Sequence, residues 1–194
     1  MNFFRIIAWG IGFLLAGFLV FRLYLPFEYR RFGRLTPLGG LLALALLLAW
    51  LGLPLLFVPP DWPAVHSGVV RTPLAWIFLT GGIALCGLSA FELGPRRTFG
   101  GRGAGLKTTG IYALTRNPQL LGCGLYGLGF TFFWPSLFSL GWLLLFGLLV
   151  TWMVMAEEEH LYVIYGDAYA QYCTQVPRLA GSPSAGSAQD APQV

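Results

Sequence analysis

Apolar residues run in long blocks along this chain, and polar residues gather in the short stretches between them. Phe3 to Leu25 is the first block, Leu38 to Phe57 the second and Pro73 to Phe91 the third. Pro118 to Trp134 and Ser136 to Ala156 follow as a pair, divided at Trp134-Pro135-Ser136. Each block is close to the roughly 20 apolar residues that cross about 30 Å of hydrocarbon, the fourth lying near the lower limit of about 17. Alternation with a period of two, the mark of a barrel strand, is absent. Only helices and closed barrels satisfy their backbone in lipid. The pattern therefore predicts an all-α integral membrane protein with five transmembrane helices, over 3–25, 38–57, 73–91, 118–134 and 136–156. The first block is too long and too aromatic for a signal peptide, and no small-residue cleavage site follows it.

Composition agrees. Of 194 residues, 56% are hydrophobic and 10% charged, where a soluble domain carries about 25% charged residues. Mean hydropathy is +0.68. The length suits one domain, taken as 1–180, followed by a Ser-, Ala-, Gly-, Pro- and Gln-rich stretch over 181–194 expected to be a disordered tail. The three cysteines, Cys86, Cys123 and Cys173, have neither metal-ligand spacing nor a disulfide framework, and read as small buried hydrophobes. No metal is expected.

The net charge of +4 is informative through its distribution. Arg22, Arg30, Arg31 and Arg34 flank the first loop. Arg96, Arg97, Arg102, Lys107 and Arg116 fill the third, and Arg178 follows the last span. These are ten of the twelve Lys and Arg residues; only Arg5 and Arg71 fall on the other side. The positive-inside rule then places the N-terminus outside and the C-terminus in the cytoplasm, as an odd number of spans requires. The loops account for the basic residues, so nucleic acid is not an expected partner. The second loop, Pro59 to Thr72, holds Asp61, Trp62 and His66; Trp62 suits the interfacial aromatic belt and His66 reads as a solvated loop residue. The glycine-rich third loop, Leu93 to Asn117, reads equally as a flexible connection or as a lid over a ligand. Its Gly101-Arg102-Gly103 follows no strand and is discounted as a dinucleotide fingerprint.

Two motifs flank the last pair of spans. The first runs Gly110-Ile111-Tyr112-Ala113-Leu114-Thr115-Arg116-Asn117-Pro118-Gln119-Leu120-Leu121-Gly122. The second is Glu157-Glu158-Glu159-His160-Leu161, followed by Tyr165-Gly166-Asp167-Ala168-Tyr169, Tyr172 and Val176-Pro177-Arg178. A transmembrane hairpin returns the chain to the side it left, so the motifs should meet on one membrane face. Asn117-Pro118 reads as a capped helix start. Its free N–H groups, with Arg116 beside them, suit a carboxylate or phosphate. Opposite stand three carboxylates, which near a bilayer are costly and usually functional. Leu161, Tyr165, Ala168, Tyr169, Tyr172 and Val176 recur at helical spacing, predicting a C-terminal interfacial amphipathic helix rich in tyrosine. A ligand with a carboxylate, hydroxyls and a cationic or aromatic body fits between these halves, and S-adenosylmethionine has all of these features. An ion-paired helix hairpin without a ligand uses the same charges.

At these residues the sequence resembles the isoprenylcysteine carboxyl methyltransferase and phospholipid methyltransferase superfamily, whose motifs match at Gly110, Tyr112, Arg116, Pro118 and Gly122, then at Glu157, Glu158, Leu161, Gly166, Tyr169, Tyr172, Val176, Pro177 and Arg178. Tyr165 stands where the family has Phe, Asn117 where it has His, and Leu120 where it has Tyr. The resemblance implies an S-adenosylmethionine-dependent integral membrane methyltransferase acting on a lipophilic or membrane-associated acceptor. It implies a cofactor pocket lined by Tyr112, Arg116, Asn117, Pro118, Gln119 and Gly122 on one side. Glu157, Glu158, Tyr165 and Tyr169 line the other, with Arg178 in support. Gly122-Cys123-Gly124 is open to two readings, a cofactor-binding Gly-x-Gly or helix packing. Asn117 removes any acid–base role of the family histidine. The implied chemistry is in-line methyl transfer, with Arg116, Glu158 and Arg178 as catalytic residues. A carboxylate acceptor needs no base and is oriented by Arg116 or Arg178; an amine acceptor must be neutral, and Glu158 is the expected proton acceptor. Two other readings are an NADPH-dependent membrane reductase of the sterol-reductase type, which usually has more spans, and a non-catalytic membrane protein on the same fold.

Overall fold

The computed structural model of the chain describes residues 3–56, 68–94 and 105–181. The loop carrying Asp61, Trp62 and His66, the Gly101-Arg102-Gly103 stretch and the tail beyond Gly181 lie outside the described residues. Helix α1 (Phe3–Phe18) passes through a π-helical segment, Leu19–Tyr24, straight into α2 (Leu25–Phe32). The rod runs past Leu25, where the sequence pattern ends the first span, through Pro26 to Phe32, and the π-helical segment stands directly before the Leu25-Pro26 step. Gly33, at φ 60°, ends it.

Helix α3 (Pro37–Gly52) starts on Thr36, whose hydroxyl accepts from Gly39 N at 3.3 Å. The corner between α2 and α3 is braced by Glu28, which is 1% exposed. Its carboxylate accepts from Thr36 N at 2.9 Å and from the Thr36 hydroxyl. Helix α4 (Arg71–Leu93), α5 (Pro118–Phe133) and α6 (Leu137–Tyr165) follow, with a 3-10 turn at Gly110–Ala113 between α4 and α5. Ser136 and Ser139 form a reciprocal capping box that restarts the chain into α6 after the Trp134-Pro135 break.

Among the described residues there is no strand. Four helical segments among the described residues are long and apolar enough to cross a membrane: Ile7–Phe32, Pro37–Leu56, Arg71–Leu93 and Leu137–Tyr165. The fourth predicted span, 118–134, corresponds to α5, which has 16 residues and is therefore about 24 Å long. Large apolar side chains such as Phe4, Leu41, Ile77, Phe91 and Leu144 are exposed on the outer faces of the helices. In water such a surface would aggregate; in a bilayer it is the solvated face. The protein is a membrane protein.

Helix α6 is the mast of the fold. Trp142, Leu145, Phe146, Leu149, Val150 and Val154 form its buried stripe, against Phe13 and Phe21 of the first rod and Trp50 of α3. Trp50 and Trp142 exchange indole hydrogen bonds: Trp50 Nε1 donates to Trp142 O at 3.2 Å, and Trp142 Nε1 to Trp50 O at 2.9 Å. Both indole N–H groups are thereby satisfied inside an apolar layer, where an unpaired one would be costly. Helices α4 and α5 lie backbone to backbone. A methyl group on Gly82 would strike Gly122 O, and one on Gly122 would strike Cys86 Sγ and Gly82 O. Small residues that allow this approach are a usual membrane packing device.

The helix expected to carry the acidic triplet onward does so, but it does not run unbroken to Val176. It stops at Tyr165, and Gly166, at φ 48°, turns the chain into a separate helix, α7 (Asp167–Gln175). The apolar side of α7 packs inward: Tyr169, Tyr172, Cys173 and Val176 are buried together, against Leu106, Leu161, Tyr162 and Tyr165.

Candidate active site

The two motifs meet. Backbone joins them first: Arg116 N donates to Pro177 O at 2.9 Å. Thr115 Oγ1 and Asn117 Nδ2 both donate to Arg178 O, at 3.3 and 2.9 Å. Asn117 stands at the N-cap of α5 but makes no side-chain cap bond; its amide is spent on this clamp. Pro118, at the first turn, is fully buried.

Glu158 is the electrostatic centre. Its Oε1 accepts from Arg116 Nη1 at 2.9 Å and from Arg178 Nε at 3.1 Å, and its Oε2 accepts from Arg178 Nη2 at 2.5 Å. Two guanidinium groups, contributed from 42 and 20 residues away in sequence, therefore share one carboxylate. Arg178 is the more exposed partner, and the Glu158 carboxylate that accepts from it raises its pKa. Arg116 is buried, 7% exposed. Its Nη1 also lies 2.7 Å from Cys173 Sγ. Its Nε and Nη2 are buried and have no partner in the protein. A buried guanidinium with donors left over is costly unless something anionic completes it.

Around this centre the tyrosines are donors. Tyr172 O–H donates to Tyr112 O at 2.5 Å, and Tyr112 O–H reaches Ser89 O at 3.5 Å. Burial pushes both phenols up to about 12, against the pull of the Ser89 hydrogen bond on Tyr112 and of the Arg116 charge on Tyr172. Burial, reinforced by Glu158, also pushes Tyr169 upward. These hydroxyls therefore keep their protons near neutral pH. The turn at Gly110–Ala113 is held by Glu92, which accepts from Ile111 N at 3.2 Å and pairs with Lys107 at 3.9 Å.

A cavity of about 540 Å³ opens between the motifs, within the 300–1,000 Å³ range of small-molecule sites. Of the residues singled out from sequence, Tyr112, Arg116, Asn117, Gln119, Glu157, Glu158, Tyr165 and Tyr169 line it. Pro118 and Gly122 stand off it, as does Arg178, which acts on Glu158 from outside. Gly122 faces α4, so its small size serves helix packing. Glu157 is exposed and lines the cavity. The sequence reading missed the opposite wall. Leu25, Tyr29 and Arg34 from α2 and its exit, and Ala43, Leu44 and Leu47 from α3, complete the cavity. So does His160, stacked on Tyr29 with ring centroids 3.8 Å apart. His160 stands in the acidic motif without having been singled out there; no motif marks the others, and the basic first loop was the signal near them.

A family model described as Phospholipid methyltransferase matches residues 70–168, a little over half of the chain, from the start of α4 to the start of α7. No curated protein and no solved structure matches.

Proposed function

The chain belongs to the phospholipid methyltransferase family, and from that premise we propose that it is a membrane methyltransferase that binds S-adenosylmethionine in the cavity between its two motifs. The acceptor is a lipophilic molecule carrying an amine or a carboxylate. Most Lys and Arg residues fall on the side of the site, which argues for the cytoplasmic face. The observation that carries the reading is Arg116. Two of its buried donor atoms have no partner in the protein, and Arg116 borders the cavity that Glu157 also lines.

The donor set fits the cofactor. Arg116 would hold its carboxylate through the two unused N–H groups, a charge-assisted arrangement. Glu157 would take its ammonium or ribose hydroxyls. Tyr165 and Tyr169 would meet its cationic and aromatic parts, with Tyr112, Asn117 and Gln119 closing the wall. When bound, the cofactor supplies a methyl group made electrophilic by a sulfonium. The protein's contribution is orientation and exclusion of water. Glu158 is better suited to this than to taking a proton, because both its oxygens already accept from guanidinium groups. Pro118 and Gly122 act at one remove, by setting the start of α5 and its approach to α4.

The test is calorimetric titration of the detergent-solubilised full chain with S-adenosylmethionine and, in parallel, NADPH. Micromolar binding of the former is expected. Glu157→Gln should weaken it about tenfold without lowering the unfolding temperature, since Glu157 makes no ion pair among the described residues. Binding of NADPH alone would favour a reductase and defeat this reading.

A further inference from the structure

We propose that Cys86 and Cys123 are a peroxide-reactive dithiol: Cys86 takes the oxidant, Cys123 closes a disulfide onto it, and oxidation locks α4 to α5 instead of damaging them. The two thiols are 37 positions apart in sequence and 3.6 Å apart between sulfurs. Their role is independent of which cofactor fills the cavity.

One thiol stands on each side of the backbone contact between α4 and α5. A methyl group on Gly122 would lie 3.0 Å from Cys86 N and 2.7 Å from Cys86 Sγ. The missing side chain at Gly122 is therefore what lets Cys86 reach the neighbouring Cys123. Both cysteines are free thiols in this structure. A disulfide holds its sulfurs about 2.05 Å apart, so closure brings them about 1.5 Å nearer than the 3.6 Å observed. The helices already touch, so rotation about the two Cα–Cβ bonds is the motion left to supply it.

Burial sets the order of events. Cys123 is 1% exposed, whereas Cys86 is half-buried and meets an oxidant first. Cys86 Sγ donates to Gln119 O at 3.2 Å, and Gln119 and Leu120 line the cavity. Cys86 lies seven residues before the end of α4 and Cys123 five residues into α5, about 10 and 8 Å from those ends. Both thus stand near the site end of the bundle. On its other side Cys86 is flanked by Ile83 and Leu88, which are exposed on the outer face of α4. A hydroperoxide, carried by lipid or dissolved in water, is the class of oxidant with a route from either side. Cys173 belongs to a separate cluster, with Tyr169, Tyr172 and Val176.

The step balances as follows. The Cys86 sulfur attacks the terminal oxygen of the hydroperoxide, the O–O bond breaks, and the thiol proton leaves on the departing oxygen as an alcohol, or as water from hydrogen peroxide. Cys86 is then a sulfenic acid, oxidised by two electrons as the peroxide is reduced by two. The Cys123 sulfur attacks the Cys86 sulfur, the S–O bond breaks, and the hydroxyl departs with the Cys123 proton as water. A sulfenic acid beside a second thiol condenses to a disulfide, whereas one left alone advances to sulfinic acid, which thiols do not reverse.

The full chain in nanodiscs is exposed to cumene hydroperoxide or to hydrogen peroxide, alkylated under denaturing conditions and mapped by mass spectrometry. A Cys86–Cys123 crosslink is expected, reversed by dithiothreitol. Rates relative to those of free cysteine assign the source: the larger ratio with cumene hydroperoxide means delivery through lipid, and the larger ratio with hydrogen peroxide means delivery through water. The crosslinked chain should unfold about 5 °C or more above the reduced one. Under the same exposure Cys123→Ala should carry sulfinic acid at Cys86 and gain no such stabilisation. Two free thiols after excess of both peroxides, sulfinic acid at Cys86 in the wild type, a crosslink that uses Cys173 or a second chain, or an unfolding temperature that does not rise on crosslinking would each overturn the proposal. If Cys123→Ala does not fold, the wild-type mapping decides alone.

Discussion

Glu28 and Glu158 are both buried, 1% and 8% exposed, and each braces a corner between two helices. At the α2–α3 corner, Glu28 accepts from the backbone and hydroxyl of Thr36, with Tyr24 as a further side-chain partner. At the α6–α7 corner, Glu158 accepts from two guanidinium groups brought from distant parts of the chain. The first corner uses neutral donors and leaves none over. The second gathers more positive charge than its carboxylate answers and leaves two Arg116 donors unmet. A buried charge whose bonds are all made locally is explained by folding. One that assembles a surplus calls for a ligand.

That contrast is broken most severely at Glu158. Glu158→Ala should cost about 3 kcal/mol or more, because it leaves Arg116 buried and unpaired. Thermal unfolding in detergent reads the loss, and an unchanged midpoint would mean that the ion-pair centre is not integral to the fold. The variant is therefore a poor probe of cofactor binding, and Glu157→Gln is the cleaner one. Glu28→Ala should cost about 1–3 kcal/mol, the penalty of two unsatisfied polar groups on Thr36, and should leave S-adenosylmethionine affinity within about twofold. A loss of affinity as large as that expected of Glu157→Gln would show that the two corners are coupled. The smallest effect belongs to the apolar layer. Trp142→Phe removes one indole hydrogen bond and should cost about 1 kcal/mol, seen in the same unfolding assay with cofactor binding untouched.

Much of this was legible from residue order. The long apolar blocks specify membrane helices because lipid leaves the backbone few alternatives. The helical hairpin between the motifs had to bring Arg116 and Glu158 to one end, since a chain that crosses and returns has nowhere else to go. Less legible was the division of labour within the motifs. Asn117 has the look of a helix cap and is instead a clamp on Arg178 O. Gly122 sits in a Gly-x-Gly and serves to admit α4. In both cases the neighbour that decides the role is far away in sequence.

By itself the sequence determined the helical class, the approximate positions of the membrane helices and the pairing of a basic with an acidic motif. These follow from hydropathy and charge, which are local properties. Only the tertiary structure decided that Gly166 breaks the last helix and that Arg116 keeps two donors to spare. It alone placed Tyr29 and His160 face to face across the cavity. Those outcomes depend on where α2, α6 and α7 come together, and no local propensity encodes a distance between residues more than a hundred positions apart.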